Sequence, residues 1–468
     1  MVFILILSAI VILSAIFTNK FLNALGIPAL LFFLCLGMLF GSDGILKISF
    51  SDYNLTKDLS SIGLGFIIFY GGFCTKWKFA KSVIKRASLL STMGVFLTAI
   101  LTCIFCHFVL KIGFLESFLI GSVIGSTDAA SVFSILKAKK LNLKDNTAPL
   151  LEIESGSNDP MSYILVILAI TLMQGNNVEF VVILFFKQII FGILLGFLIA
   201  KIGIFTFQKT ELIIDGNESL FIIALVLICY ASCDYIQGNP FLAVYFLGII
   251  LGNADLENKS SMMNFFDGIT KLAQIGIFFA LGLLATPSKA IETLNMGLLI
   301  FIFLTLIARP IVVWILLAPF ESSLGQKILT AWAGLRGVAS IVFAIIAMDS
   351  GIILHYDLFH LVFIISIFSV AIQGTLLPIF AKHTKMIDRK FDIRQTFNDY
   401  QEECAVRFLR VKVPNKHFWI GKKIKNITFP QNAKVLFIKR NGKRILPKES
   451  TEILKNDIVT LIIPSEYF

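Results

Sequence analysis

The chain has 468 residues, of which 57% are hydrophobic, 46 are Phe and 15% are charged, and its mean hydropathy is +0.85. That balance excludes an ordinary soluble domain and places most of the chain in a lipid bilayer. The formal charge of +11 is unevenly spread: nineteen Lys and Arg against nine Asp and Glu follow residue 381, so nearly all of the excess lies in the tail.

A helix needs about 20 apolar residues to cross the hydrocarbon core, and such runs recur at roughly 2–18, 24–41, 59–74, 87–110, 115–136, 147–174, 178–206, 218–237, 240–253, 268–286, 295–318, 326–349 and 356–381. The first run has no basic n-region and no small-residue cleavage site, so it is read as part of the mature protein. Lys and Arg collect in alternate loops, at Lys76–Arg86, at Lys137–Lys144 and from Lys382 to Lys390. By the positive-inside rule these loops are cytoplasmic, which puts the N-terminus outside and the C-terminus inside. The seven Cys fall mostly in apolar spans and read as small buried hydrophobes.

Within the fifth run, GSVIGSTDAASVF places Thr127 and Asp128 in mid-span, after Gly121 and Gly125. Small residues there permit a locally broken helix whose freed carbonyls coordinate a cation. The sixth run contains ESGSNDP. Ser155 and Asp159 share one helix face at i, i+4, and Glu154 and Asn158 form a second such pair about 100° around the axis. An ionisable residue at such a depth costs several kcal/mol, about 2.5–3.5 or more, and by default marks an ion path or a proton relay. Glu152, nearer the cytoplasm, lines an entrance, whereas His107, Lys187 and Asp234 lie close to span ends and read as interfacial. In the other half, LIARPIVV carries Arg309 beside Pro310, and TAWAGLRGVASIVFA sets Arg336 between Gly334 and Gly337. Two interrupted helices at comparable places in the two halves point to an inverted-repeat transporter with its site at the bilayer midplane.

GSTDAA, ESGSNDP and AGLRG, in that order and in those spans, resemble the cation:proton antiporter family of bacterial NhaP-type proteins and animal sodium/proton exchangers over residues 1–385. The resemblance implies that the Thr127 carbonyl, Asp128, Ser155 and Asp159 bind the dehydrated cation, that Asn158 holds the site in shape, and that Glu154 pairs with an arginine, Arg309 before Arg336. The Asn158–Asp159 pair, where electrogenic relatives carry two aspartates, implies one-for-one exchange. FYGGF departs from the pattern, with Tyr70 where some relatives carry an acidic residue.

Beyond residue 392 the runs AVRFLRVKV, KVLFIKR and DIVTLIIP alternate in β fashion between PNK, NGK and KND turns. They resemble the TrkA-C (RCK_C) ligand-binding subdomain of potassium-conductance regulators, which implies self-pairing and a small ligand. The basic surface favours a nucleotide-like anion or the lipid of the inner leaflet.

The expected fold is an all-α polytopic membrane protein of about 13 transmembrane helices, two of them interrupted and crossing, followed by a small α+β cytoplasmic domain over residues 386–468. The expected function is secondary antiport of potassium or sodium against protons in a bacterial inner membrane, by a homodimer without a cofactor. A ligand-gated cation channel is the alternative, although no filter of successive carbonyls is recognisable. An enzyme is not indicated, since no nucleophile, metal set or phosphate loop appears.

Overall fold

A computed structural model of the chain describes residues 7, 9–14, 29–48, 50, 52–139, 141–209, 216–256, 258–388, 406–413, 419–427, 429, 433–440, 443–455 and 457–464. Internal contacts divide it into two units, Met1–Asp399 and Tyr400–Phe468.

Helices stand at twelve of the thirteen expected spans: α1 (Ala29–Phe40), α2 (Tyr53–Cys74), α3 (Ile84–Phe108), α4 (Phe114–Val123) with α5 (Ala129–Ala138), α6 (Thr147–Met173), α7 (Val178–Lys209), α8 (Glu218–Tyr235), α9 (Pro240–Asn253), α10 (Lys259–Leu284), α11 (Pro287–Leu317), α12 (Leu324–Trp332) with α13 (Val338–Asp349), and α14 (Leu358–His383). The first expected span lies mostly outside the described residues, of which 9–14 are helical. Helix α2 starts ahead of its apolar run, where a polar cap sets its end. Asp52 caps α2 by accepting from Leu55 N at 2.9 Å, and Asn239 caps α9, which has Pro240 in its first turn, by accepting from Leu242 N at 3.0 Å.

Helices α1, α2 and α7–α10 pack mainly on one another, as do α3–α6 and α11–α14. The first bundle is drawn tight by glycine. At the α2–α9 crossing, a Cβ on Gly248 would lie 2.3 Å from the Phe69 carbonyl oxygen, and one on Gly252 2.2 Å from that of Phe73. Without a hydrophobic effect between helices in lipid, such backbone approach supplies the packing. In the second bundle, α3, α11 and α14 each contain a π turn, at Leu90–Gly94, Leu304–Ala308 and Ser369–Gly374. The two broken helices sit in this bundle. Their halves have 9 to 12 residues, each too short to span alone.

In the tail unit, β1 (Val406–Lys412), β2 (Lys434–Arg440), β3 (Lys443–Ile445) and β4 (Ile458–Pro464) form an antiparallel sheet in the order β1-β4-β2-β3. Val413, Trp419, Ile438, Ile453, Val459 and Leu461 fill its core. One 3-10 turn, Ile424–Asn426, is its helical element among the described residues. Buried Asp457 takes a two-pronged contact from Arg440, Nε to Oδ1 at 2.9 Å and Nη2 to Oδ2 at 2.8 Å, and a third bond from Leu454 N. Burial alone would raise the Asp457 pKa; these donors overcome it and hold the carboxyl below its ordinary range.

Candidate cation site

The two helix breaks, 124–128 and 333–337, meet face to face. Asp128 N–H donates to the Leu335 carbonyl at 2.8 Å, and Arg336 Nη1 donates to the Gly125 carbonyl at 2.8 Å and to that of Ser126. A broken helix leaves carbonyls bare at one end and N–H groups bare at the other. Here a buried guanidinium answers the carbonyls beyond α4. A carboxylate answers the N–H groups: Asp128 caps α5, accepting from Ser131 N at 3.3 Å and Ser131 Oγ at 2.5 Å. It also lies against the first residue before α13, since a Cβ on Gly337 would fall 2.3 Å from Asp128 Oδ2. Both charges therefore sit where the helix dipoles favour them. The π turn of α14 braces the second break, with Arg336 N bonded to Ser369 Oγ at 2.8 Å, and Ser369 bonded to Gln373 at 2.6 Å.

Helix α6 passes this crossing. Ser155 Oγ donates to the Thr127 carbonyl at 2.8 Å, the Thr127 and Ser155 hydroxyls are 2.6 Å apart, and Asn158 Nδ2 donates to Thr127 Oγ1 at 2.5 Å. Ser126 and Asp128 are the groups that act on the Asp159 carboxylate. Two acceptors are left over: Asn158 Oδ1 and Asp159 Oδ1 are buried with no hydrogen-bond partner. An uncompensated buried acceptor is costly, and a proton or a bare cation relieves the cost.

Of the expected site residues, Thr127, Asp128, Ser155, Asn158 and Asp159 thus converge. Glu154 points elsewhere and pairs with Arg309, both almost wholly buried. Gly334 leaves the room for that arginine, because a Cβ there would lie 2.9 Å from Arg309 Nε. Arg336, the other candidate partner, is committed to the carbonyls of the first break. Tyr70 does not join the crossing: its phenol hydrogen-bonds Cys74 and faces Asp267 and Glu152. His107 Nδ1 meets the Ile112 carbonyl at 2.8 Å and Lys187 reaches Gln237 at 2.9 Å. Sequence reasoning missed Ser126, Ser131, Ser369 and Gln373. The last two, at i, i+4 in an otherwise apolar span, were the available signal.

Residues 8–383 match the model of the sodium/hydrogen exchanger family, transmembrane region. The chain belongs to that family. Residues 408–468 match the TrkA-C domain. Among curated relatives of this exchanger is the K(+)/H(+) antiporter NhaP2 of Shewanella baltica (strain OS223), 32% identical over 447 residues that make up 94% of this chain and 77% of that protein. Another is the K(+)/H(+) antiporter NhaP of Alkalimonas amylolytica, 31% identical over 445 residues with the same coverage. The solved structure of the sodium proton antiporter MjNhaP1 from Methanocaldococcus jannaschii at pH 8 superposes with a TM-score of 0.70 at 21% identity, over 78% of this chain and 97% of that one. That superposition establishes the exchanger's fold.

Proposed function

We propose that this exchanger moves a monovalent cation, potassium or sodium, against protons by competition at Asp159. The observation that carries the reading is the pair of unpartnered buried acceptors, Asp159 Oδ1 and Asn158 Oδ1, beside two crossing helix breaks. With Asp159 ionised, its carboxylate, the Thr127 carbonyl, Asp128 and Ser155 offer oxygen ligands to a dehydrated cation. For the Thr127 carbonyl to serve, Ser155 must turn its hydroxyl proton away. With Asp159 protonated, the cation loses its charge partner. Two carboxylates this close titrate as a pair, so proton and cation occupancy exclude each other. Asn158 beside a single Asp fits one proton exchanged per cation. Rocking of one bundle against the other then carries either cargo across without covalent chemistry.

In this reading residues 1–385 exchange and residues 386–468 regulate. The relatives' names favour potassium and antiport, and give the channel alternative no support. The tail's excess of Lys and Arg suits an anionic ligand, nucleotide or inner-leaflet lipid, and the TrkA-C match suits pairing of two copies. The protein sits in a bacterial inner membrane with its N-terminus outside and C-terminus inside. The deciding experiment is purified protein in liposomes with a pH-sensitive dye, challenged separately with potassium, sodium and lithium. Cation-driven proton movement by the parent and none by Asp159→Asn is expected; equal movement by both removes Asp159 from the mechanism.

A further inference from the structure

Two bundles that rock against each other need a contact that holds one position and then lets go. We propose that Lys57 and Asp349 form such a latch, at the end of the molecule opposite the basic loops; the proposal rests on the exchange reading above. Lys57 lies near the start of α2 in the first bundle, and Asp349 is the last residue of α13 in the second. Lys57 Nζ stands 2.6 Å from Asp349 Oδ2. Asn54, its amide turned nitrogen-first, donates to both Asp349 oxygens, at 2.5 and 3.2 Å.

Two features make this contact specific and releasable. A carboxylate at a helix C-terminus is opposed by the helix dipole, so Asp349 depends on its partners from α2. Lys57 has two further carboxylates within reach. Asp58 Oδ1 is 3.5 Å away, and Asp234 of α8 also feels the Lys57 charge, both on the same bundle as the lysine. When the bundles part, Lys57 turns to carboxylates that travel with it. The pair is about a quarter exposed on each side, so its hold is modest.

The latch caps an aromatic layer. Tyr163, one turn beyond Asp159 on α6, packs on Phe241 at 5.0 Å and on Phe343 at 5.9 Å, and Tyr230 packs on Phe241 at 5.6 Å. Tyr163 and Phe343 belong to one bundle, Tyr230 and Phe241 to the other. Toward the basic loops, by contrast, Tyr245 meets the hydroxyls of Ser157 and Thr75. The latched end thus carries ring-on-ring contacts between the bundles, and opening it separates ring from ring and lysine from aspartate together.

The test uses full-length protein in intact cells carrying Ser61→Cys, a buried position one turn below Lys57, with a membrane-impermeant maleimide. Labelling of that thiol, above the level of the protein without it, should run about fivefold faster in Lys57→Met and in Asp349→Asn. The double variant should be no faster than either. Unchanged rates, or rates that multiply in the double variant, overturn the latch. In a second arm, a reducible bifunctional methanethiosulfonate joins Lys57→Cys to Asp349→Cys; exchange should stop and return on reduction, and exchange that persists while the link is intact overturns it too. A parent protein that moves no protons against cations sinks the exchange reading alone, because the labelling rates still decide the latch.

Discussion

Replacing Gly337 with Ala tests whether the helix crossing sets the cation site. The new Cβ would lie 2.3 Å from Asp128 Oδ2 and 2.6 Å from Asp128 Cβ and Cγ. The Asp128 backbone is tied by its N–H to Leu335, within the same break as Gly337, so it cannot retreat without pulling the crossing apart. The clash therefore strains the crossing and displaces the carboxylate from Ser131, losing a charge-assisted bond of 2.5 Å. Such a bond contributes about 2 kcal/mol, or roughly thirtyfold in apparent cation affinity if Asp128 then presents its charge wrongly. The half-saturating potassium concentration for proton movement in proteoliposomes, at fixed pH, measures this directly. Ser131→Ala removes the same bond without the clash and should produce a loss of the same order. Gly334→Ala, which crowds Arg309 instead, should lower thermal stability and leave half-saturation near the parent value. If Gly337→Ala binds potassium like the parent, the crossing does not position Asp128 for the cation.

Asp159→Asn should abolish exchange while leaving a folded protein of normal melting temperature, and in the parent cation affinity should rise with pH as the Asp128–Asp159 pair loses its proton; a pH-independent affinity contradicts competition. Glu154→Gln and Arg309→Met should each cost about 3–5 kcal/mol of stability, because each leaves a buried charge unpaired, and the double variant should cost less than their sum. Additive losses in a thermal-unfolding cycle refute the pair. In the tail, the folded Asp457 pKa lies below its unfolded value, so the stability it contributes is present above the unfolded pKa and fades as pH falls through the folded one. Asp457→Asn should therefore flatten the acid limb of tail unfolding, followed by Trp419 fluorescence; an unchanged acid limb removes the linkage.

Hydrophobic length made the spans legible, since each must bury its whole backbone in lipid. Helix ends were less so. The helix α10 starts at Lys259, well before the apolar run at 268, because an amphipathic stretch prolongs a helix beyond the hydrocarbon. Polar residues in apolar text announced Thr127, Asp128, Ser155, Asn158 and Asp159. The choice between Arg309 and Arg336 for Glu154 was open in the sequence, as both are mid-span. It closes only in three dimensions, where Arg336 is taken by two carbonyls and Arg309 is not. The place of Tyr70, apart from the crossing, was not legible either, because its direction depends on the rotation of α2, which packs on α9 through glycines.

The second bundle consists of two triplets, α3–α6 and α11–α14, each with a broken helix in the middle and a π turn in its first helix. No repeated residues reveal this, because what repeats is the need to leave backbone groups bare at mid-depth, while the groups that answer them differ. The first break supplies Asp128 and the Thr127 carbonyl; the second supplies Arg336, whose charge is spent on the carbonyls of the first. In the third helix of each triplet, Asp159 and Asn158 keep free acceptors, whereas Ser369 and Gln373 bond to each other and to the backbone. The first triplet leaves two acceptors open at the crossing, whereas the side chains that brace the second break are bonded, so a single cation site follows from two similar frames. The lysine and arginine excess stays beyond residue 381, outside the membrane-spanning runs.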